Sequence, residues 1–140
     1  MRYLGIDYGA RRIGIAISDE AASFAFPKET IPNDASTIDR IGTLVKTDSI
    51  GAIVIGDSRA LNGVENAITS DAEAFAALLE KHVRLPLHTS WEAWSSVEAA
   101  RFAPKGKEHD DAAAAAIILQ RYLDRQKRET KDTDIEDEEF

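Results

Sequence analysis

Large and small positions alternate strictly at the start of the chain. Leu4, Ile6 and Tyr8 alternate with Gly5, Asp7 and Gly9, the period of a β-strand. Gly9-Ala-Arg11 can turn the chain. Ile13, Ile15 and Ile17 then alternate with Gly14, Ala16 and Ser18, which predicts a second strand. Phe24 to Ile31 predicts a third, and Pro27 within it implies an edge or a bulge. Three strands with short links favour an antiparallel meander. The period then changes. Pro32-Asn-Asp-Ala-Ser36 offers helix-capping residues, and Ile38, Ile41, Leu44 and Val45 follow at helical spacing. Gly51-Ala-Ile-Val-Ile-Gly56 is a short apolar run between glycines, the pattern of a buried parallel strand. After a loop containing Asn62-Gly63, residues 66 to 82 predict a helix with Ala67, Ala74, Phe75, Leu78 and Leu79 on one side. Leu85-Pro-Leu-His88 predicts a short strand. Trp91 to Phe102 predicts a helix, Pro104-Lys-Gly-Lys a loop, and the alanine-rich stretch Asp110 to Asp124 a final helix. The order β-β-β-α-β-α-β-α-α predicts an α/β fold. Its mixed five-stranded sheet joins a three-strand antiparallel meander to two parallel strands, with helices on both faces.

Charge refines the division of the chain. Net charge is −8 over 140 residues, yet residues 132 to 140 hold six acids and no base; setting those six aside leaves −2. An acidic block of this kind predicts a solvated, disordered tail, here residues 128–140, behind one domain over residues 1–127. The nearly neutral body neither supports nor excludes a polyanionic substrate. Cysteine is absent, which excludes a disulfide framework and a cysteine-based zinc site and suits a reducing cytosol. The first residues do not have the pattern of a secretory signal, and no apolar run is long enough to span a bilayer.

Asp7 is the residue that the strand pattern does not explain. Aspartate is depleted in strands, and a buried carboxylate is costly without a partner. Asp7 shares a face with Gly5 and Gly9, and the second strand offers Gly14, Ala16 and Ser18. If these small faces come together, Asp7 lies in a hollow that suits a metal ion and a bulky substrate. In the plainer reading the glycines ease sheet packing and Asp7 caps a turn. Asp111, beside Asp110, begins the alanine-rich helix, where an acid suits the helix dipole but is also placed to reach a metal at a sheet edge. Glu92 follows the last strand, and acids just past a strand's carboxyl end are well placed for function in open α/β sheets. Together Asp7, Glu92 and Asp111 form an all-oxygen set, which selects Mg²⁺ or Mn²⁺ over zinc. Arg11, Arg12 and Lys105 are candidates to meet substrate phosphates, against the reading that Arg11 and Arg12 are a solvated hairpin tip. His88 reads as a strand-end residue. His109, in the loop before Asp111, is a weaker candidate for proton transfer against an ordinary loop histidine. Trp91 and Trp94 are candidates for base stacking, with core packing the plainer role for at least one of them.

Two stretches resemble a known family. Leu4-Gly-Ile-Asp-Tyr-Gly-x-x-Arg-Ile-Gly-Ile-Ala-Ile-Ser-Asp19 is similar to the opening of the YqgF (RuvX) family of RNase H-like nucleases. Asp111-Ala-x-Ala-Ala-x-Ile-Ile-Leu-Gln-x-Tyr-Leu-Asp124 is similar to its closing motif, with Ile53-Val-Ile-Gly56 and Ser95-Ser-Val-Glu-Ala99 aligned in order between them. The resemblance implies an RNase H-like fold and metal-dependent phosphodiester hydrolysis in the bacterial cytoplasm. It implies catalytic and metal-holding roles for Asp7, Glu92 and Asp111. It also implies a nucleic-acid partner: structured precursor rRNA in 5′-end maturation of 16S rRNA or, alternatively, branched DNA at a Holliday junction, with a monomer or homodimer as the working unit. Two stretches depart from the family pattern. Trp91-Glu92-Ala93 stands where Asp-Glu-Arg is usual, and Asp57-Ser-Arg-Ala-Leu-Asn-Gly63 stands where Leu-Pro-Leu-Asn-x-x-Gly is usual. These departures leave a non-catalytic nucleic-acid-binding relative as a further alternative. A sugar-kinase or chaperone-type ATPase would need two such domains around a nucleotide, more than 140 residues supply.

Overall fold

The structure is a computed structural model, which describes residues 1–56, 67–90 and 111–138. Strands β1 (Arg2–Asp7), β2 (Arg12–Ser18) and β3 (Ala25–Pro32) form the meander. Helix α1 (Thr37–Thr47), strand β4 (Ile50–Gly56), helix α2 (Ala67–Val83) and strand β5 (Leu87–Ser90) follow, and helix α3 (Asp111–Glu138) closes the chain. The sheet order is β3-β2-β1-β4-β5. β1 pairs with β2 and β2 with β3 in antiparallel fashion, while β1–β4 and β4–β5 are parallel. The mixed five-stranded sheet expected from the sequence is therefore present.

The alternation in β1 and β2 separates two cores. Leu4, Ile6, Ile13 and Ile15 point to one side, where they join Ile53 and Ile55 of β4, Ile41 of α1 and Phe75 and Leu79 of α2. The small positions point to the other side. There Ala16 and Val54 meet Ala115, Ile118, Leu119 and Leu123 of α3. Helices thus cover both faces. Burial of these side chains is the main favourable term holding the layers together, at roughly 25 cal/mol per Å² of apolar surface.

The glycines of the small face do not open a hollow for substrate. They admit α3. A Cβ on Gly5 would stand 2.7 Å from the Leu119 Cβ, and one on Gly14 would overlap the backbone carbonyl of Asp111. The plainer reading of these two residues, packing, is the correct one. A helix whose first turns are alanine can lie directly on a sheet that lacks side chains beneath it.

Three further details differ from the expectation or refine it. Pro27 does mark a bulge: Ile15 faces Glu29 while Ala16 faces Pro27, so Lys28 is the extra residue on the edge strand. β5 starts at Leu87, not Leu85, because Arg84 takes a left-handed φ of 56° and Pro86 has no N–H to donate. Helix α3 does not stop near residue 124. It runs to Glu138, through most of the segment expected to be a disordered tail. Arg, Gln, Lys and Glu, all good helix formers, fill residues 125–129 and extend the alanine-rich start. No helix among the described residues is long and apolar enough to cross a membrane.

Candidate active site at the carboxyl edge of the sheet

The parallel strands β1, β4 and β5 end at one edge. Asp7, Gly56 and Ser90 are their last residues, and they lie in one row: Asp7 is in register with Gly56 and Gly56 with Ser90. The Tyr8 N–H donates to the Gly56 carbonyl at 2.9 Å and extends the pairing one residue past Asp7. On its other side Asp7 faces Gly14 of β2. Directly opposed residues of an antiparallel pair project to the same face. Asp7 therefore projects toward the side on which the start of α3 rests over Gly14. Asp7 as a whole is buried, at 3% exposure.

Asp111 opens α3 at this edge. Its carboxylate Oδ2 accepts a hydrogen bond from the Arg12 Nε at 2.9 Å. The Asp111 side chain is 12% exposed and the Arg12 side chain 63%. Arg12 begins β2 two residues before Gly14, so strand geometry projects it to the α3 face as well. The helix dipole and the guanidinium both place positive potential beside the two acids. The hairpin turn between Asp7 and Arg12 is held from outside: the Asn33 Nδ2 donates to the Gly9 carbonyl at 2.8 Å, and the Asn33 N–H donates to the Arg11 carbonyl at 2.9 Å. The sequence suggested only helix capping for Asn33; nothing local signals a contact 24 residues away.

The structure thus brings Asp7, Asp111 and Arg12 to one edge and one face. Arg11 is exposed on the turn. Glu92 and Lys105 lie outside the described residues, as do Trp91, Trp94 and His109. The chain leaves the described fold at Ser90, in the row of Asp7, and returns at Asp111, so Glu92 stands two positions past the end of β5. His88 has a packing role: its ring stacks on Tyr122 of α3, with centroids 5.0 Å apart.

Among the described residues no three acids or histidines gather closely enough to hold a metal ion. Asp7 and Asp111 nonetheless fit a hard divalent cation in kind. Both are oxygen donors, and a carboxylate accepts at both oxygens, so the Arg12 contact at Oδ2 is compatible with a cation at the same group.

Comparison with known proteins points the same way as the end motifs. Residues 1–125 match the sequence model of the family described as "RuvX: Holliday junction resolvase". A "Putative pre-16S rRNA nuclease" of Maridesulfovibrio salexigens is 35% identical over 134 residues, covering 89% of this chain and 99% of the relative. One of the same name from Leifsonia xyli subsp. xyli is 38% identical over 130 residues, covering 86% and 84%. Among solved structures, Thermus thermophilus RuvC in complex with a Holliday junction substrate superposes with a TM-score of 0.56 at 12% identity, covering 90% of this chain and 95% of that one. The fowlpox virus resolvase, solved with Holliday junction DNA, gives 0.56 at 9% identity, with 90% and 99% covered. At such low identity these structures establish a shared fold, the RNase H-like one. The sequence match runs from the first strand, through the acid-bearing edge, to the buried part of α3, and on that ground the chain belongs to the RuvX family.

Proposed function

We propose that this chain is a metal-dependent nuclease of the bacterial cytoplasm that hydrolyses phosphodiester bonds in precursor 16S rRNA during maturation of its 5′ end. The observation that carries this reading is the convergence of Asp7 and Asp111, residues 104 positions apart, on the carboxyl edge of the sheet beside Arg12. The curated relatives, which carry a pre-16S rRNA nuclease name, support the choice of RNA.

Asp7, Glu92 and Asp111 would hold Mg²⁺ or Mn²⁺. When bound, a divalent ion supplies an activated water and neutralises charge on the leaving oxygen. The chain's own residues do the rest. Asp7 is fixed between Gly14 of β2 and Gly56 of β4 and is buried, so its backbone cannot shift without breaking the sheet. Arg12, with Arg11 and Lys105, neutralises the phosphates on either side of the cut, which lowers the repulsion between a polyanion and an acidic site. α3 closes one face of the site and excludes water from beneath Asp7.

A second reading, cleavage of a four-way DNA junction by a homodimer, is favoured by the family's description and by the fold shared with junction-bound RuvC. Cleavage assays with precursor rRNA and a four-way DNA junction, run side by side in Mg²⁺, separate the two. Cuts at the mature 5′ end of the rRNA with the junction left intact support the first; paired symmetric cuts in the junction with intact rRNA support the second.

A further inference from the structure

Arg11 and Arg12 are adjacent, both exposed, and indistinguishable as sequence. The structure separates them. Arg11 sits on the turn, where its backbone carbonyl accepts from the Asn33 N–H. Arg12 is tethered to Asp111, and the tether uses one nitrogen, Nε, of the guanidinium. Its two terminal nitrogens have no acceptor among the described residues, while its side chain is 63% exposed at the mouth of the site. The Asp111 end of the tether is rigid: its backbone rests on Gly14, with no room for even a methyl group between them.

The geometry points to Arg12 as a two-ended bridge, fixed at Nε by Asp111 and presenting its terminal amino groups to a backbone phosphate of the bound nucleic acid. Guanidinium suits this task. It is planar, permanently charged, and carries five donors, so one edge can serve a carboxylate while another serves a phosphate. An untethered arginine loses much rotamer freedom on binding a phosphate; one already held by a rigid helix start loses less, and binds better for it. Arg12 is in these terms a positioning residue that ties substrate to the acid-bearing helix. An isolated exposed ion pair of no functional consequence would show no such linkage.

This inference rests on the nucleic-acid reading above but is tested apart from cleavage. Binding of a fluorescent single-stranded RNA and of a four-way DNA junction is measured in EDTA, where no metal contributes. Parent, Arg12→Ala, Asp111→Ala and the double variant form a cycle, with Arg11→Ala as comparison. Arg12→Ala should weaken binding about tenfold in the parent and less than about threefold when Asp111→Ala is also present, because coupled neighbours depart from additivity. Loss of one phosphate contact should also reduce the slope of log K against log salt by about 0.7–0.9. Arg12→Lys keeps the charge but has no second edge, so it should restore the salt slope and not the coupling to Asp111. Asp111→Asn, close in shape to the parent residue, repeats the cycle should the alanine variant fold poorly. Weakening in the RNA arm or in the junction arm assigns the phosphate to that nucleic acid. Equal loss with and without Asp111, or no loss in either arm, overturns the bridge. Cleavage by the parent chain in Mg²⁺ is independent of that outcome, so the nuclease reading stands or falls by itself.

Discussion

Asp7 and Gly14 face each other across the β1–β2 pair, and each is explained by the other's surroundings. Gly14 lacks a side chain so that α3 can bring Asp111 down beside Asp7. Gly14→Ala would force a Cβ into the Asp111 carbonyl. Overpacking of this kind costs about 1–3 kcal/mol, and here the neighbour that must move is backbone, so the upper part of the range is expected. Urea unfolding should show that loss, and cleavage should fall with it because Asp111 moves. Asp7 was legible in the sequence as an acid out of place in a strand. The role of Gly14 was not. A glycine in an alternating strand reads equally as room for a ligand or room for a helix, and the residue that decides, Asp111, lies 97 positions away. The Arg12–Asp111 contact was illegible for the same reason, since nothing in Arg11-Arg12 says which side chain turns toward the helix.

At the scale of elements, the alternation of β1 and β2 and the Gly-bounded run of β4 were legible because a strand buried on a known side has only one register that hides its apolar residues. Element ends were less so. The Pro27 bulge was readable from one residue; the start of β5 depended on the left-handed Arg84. The β2–β3 connection was not resolved into interactions by sequence. There the Asp19 carboxylate accepts from the Ser23 N–H at 2.8 Å and the Phe24 N–H at 3.1 Å. These bonds, that from Phe24 foremost, hold its carboxyl below the usual carboxylate range. A carboxylate with a lowered folded-state value contributes stability above its unfolded value, near 3.9, and the contribution is lost as pH falls through the folded value. Asp19→Ala should therefore be less stable than the parent by a constant margin at neutral pH. In urea titrations repeated toward acid, that margin should shrink only below about pH 4.

For the whole molecule, Leu123 is the last buried residue of α3 among those whose burial is described, and residues 124 to 129 are all exposed. Residues 124 to 129 therefore add charge more than packing. Removing residues 132–140 takes away six acids and moves net charge from −8 to −2. Thermal unfolding of the shortened chain should stay within about 2 °C of the parent, since the removed segment is mostly acidic and holds only two large apolar residues, Ile135 and Phe140. Its affinity for RNA should rise at low salt, with the gain fading as ionic strength screens the removed charge. An acidic run is easily read as disorder from composition; helix-forming neighbours on its N-terminal side carry the helix into it here, a context that composition alone does not contain.

The central claim is that Asp7 lies at the heart of a phosphodiester-cleaving site. Asp7→Asn tests it most directly: the side chain keeps its shape inside the sheet while losing the charge that a divalent cation requires. Cleavage of precursor 16S rRNA in Mg²⁺ is compared for the two proteins, with matched circular dichroism as the check on folding. A fall in rate of at least about a hundredfold, in a variant that folds as the parent does, is the predicted result. Cleavage by a folded Asp7→Asn protein at the parent's rate would contradict the account.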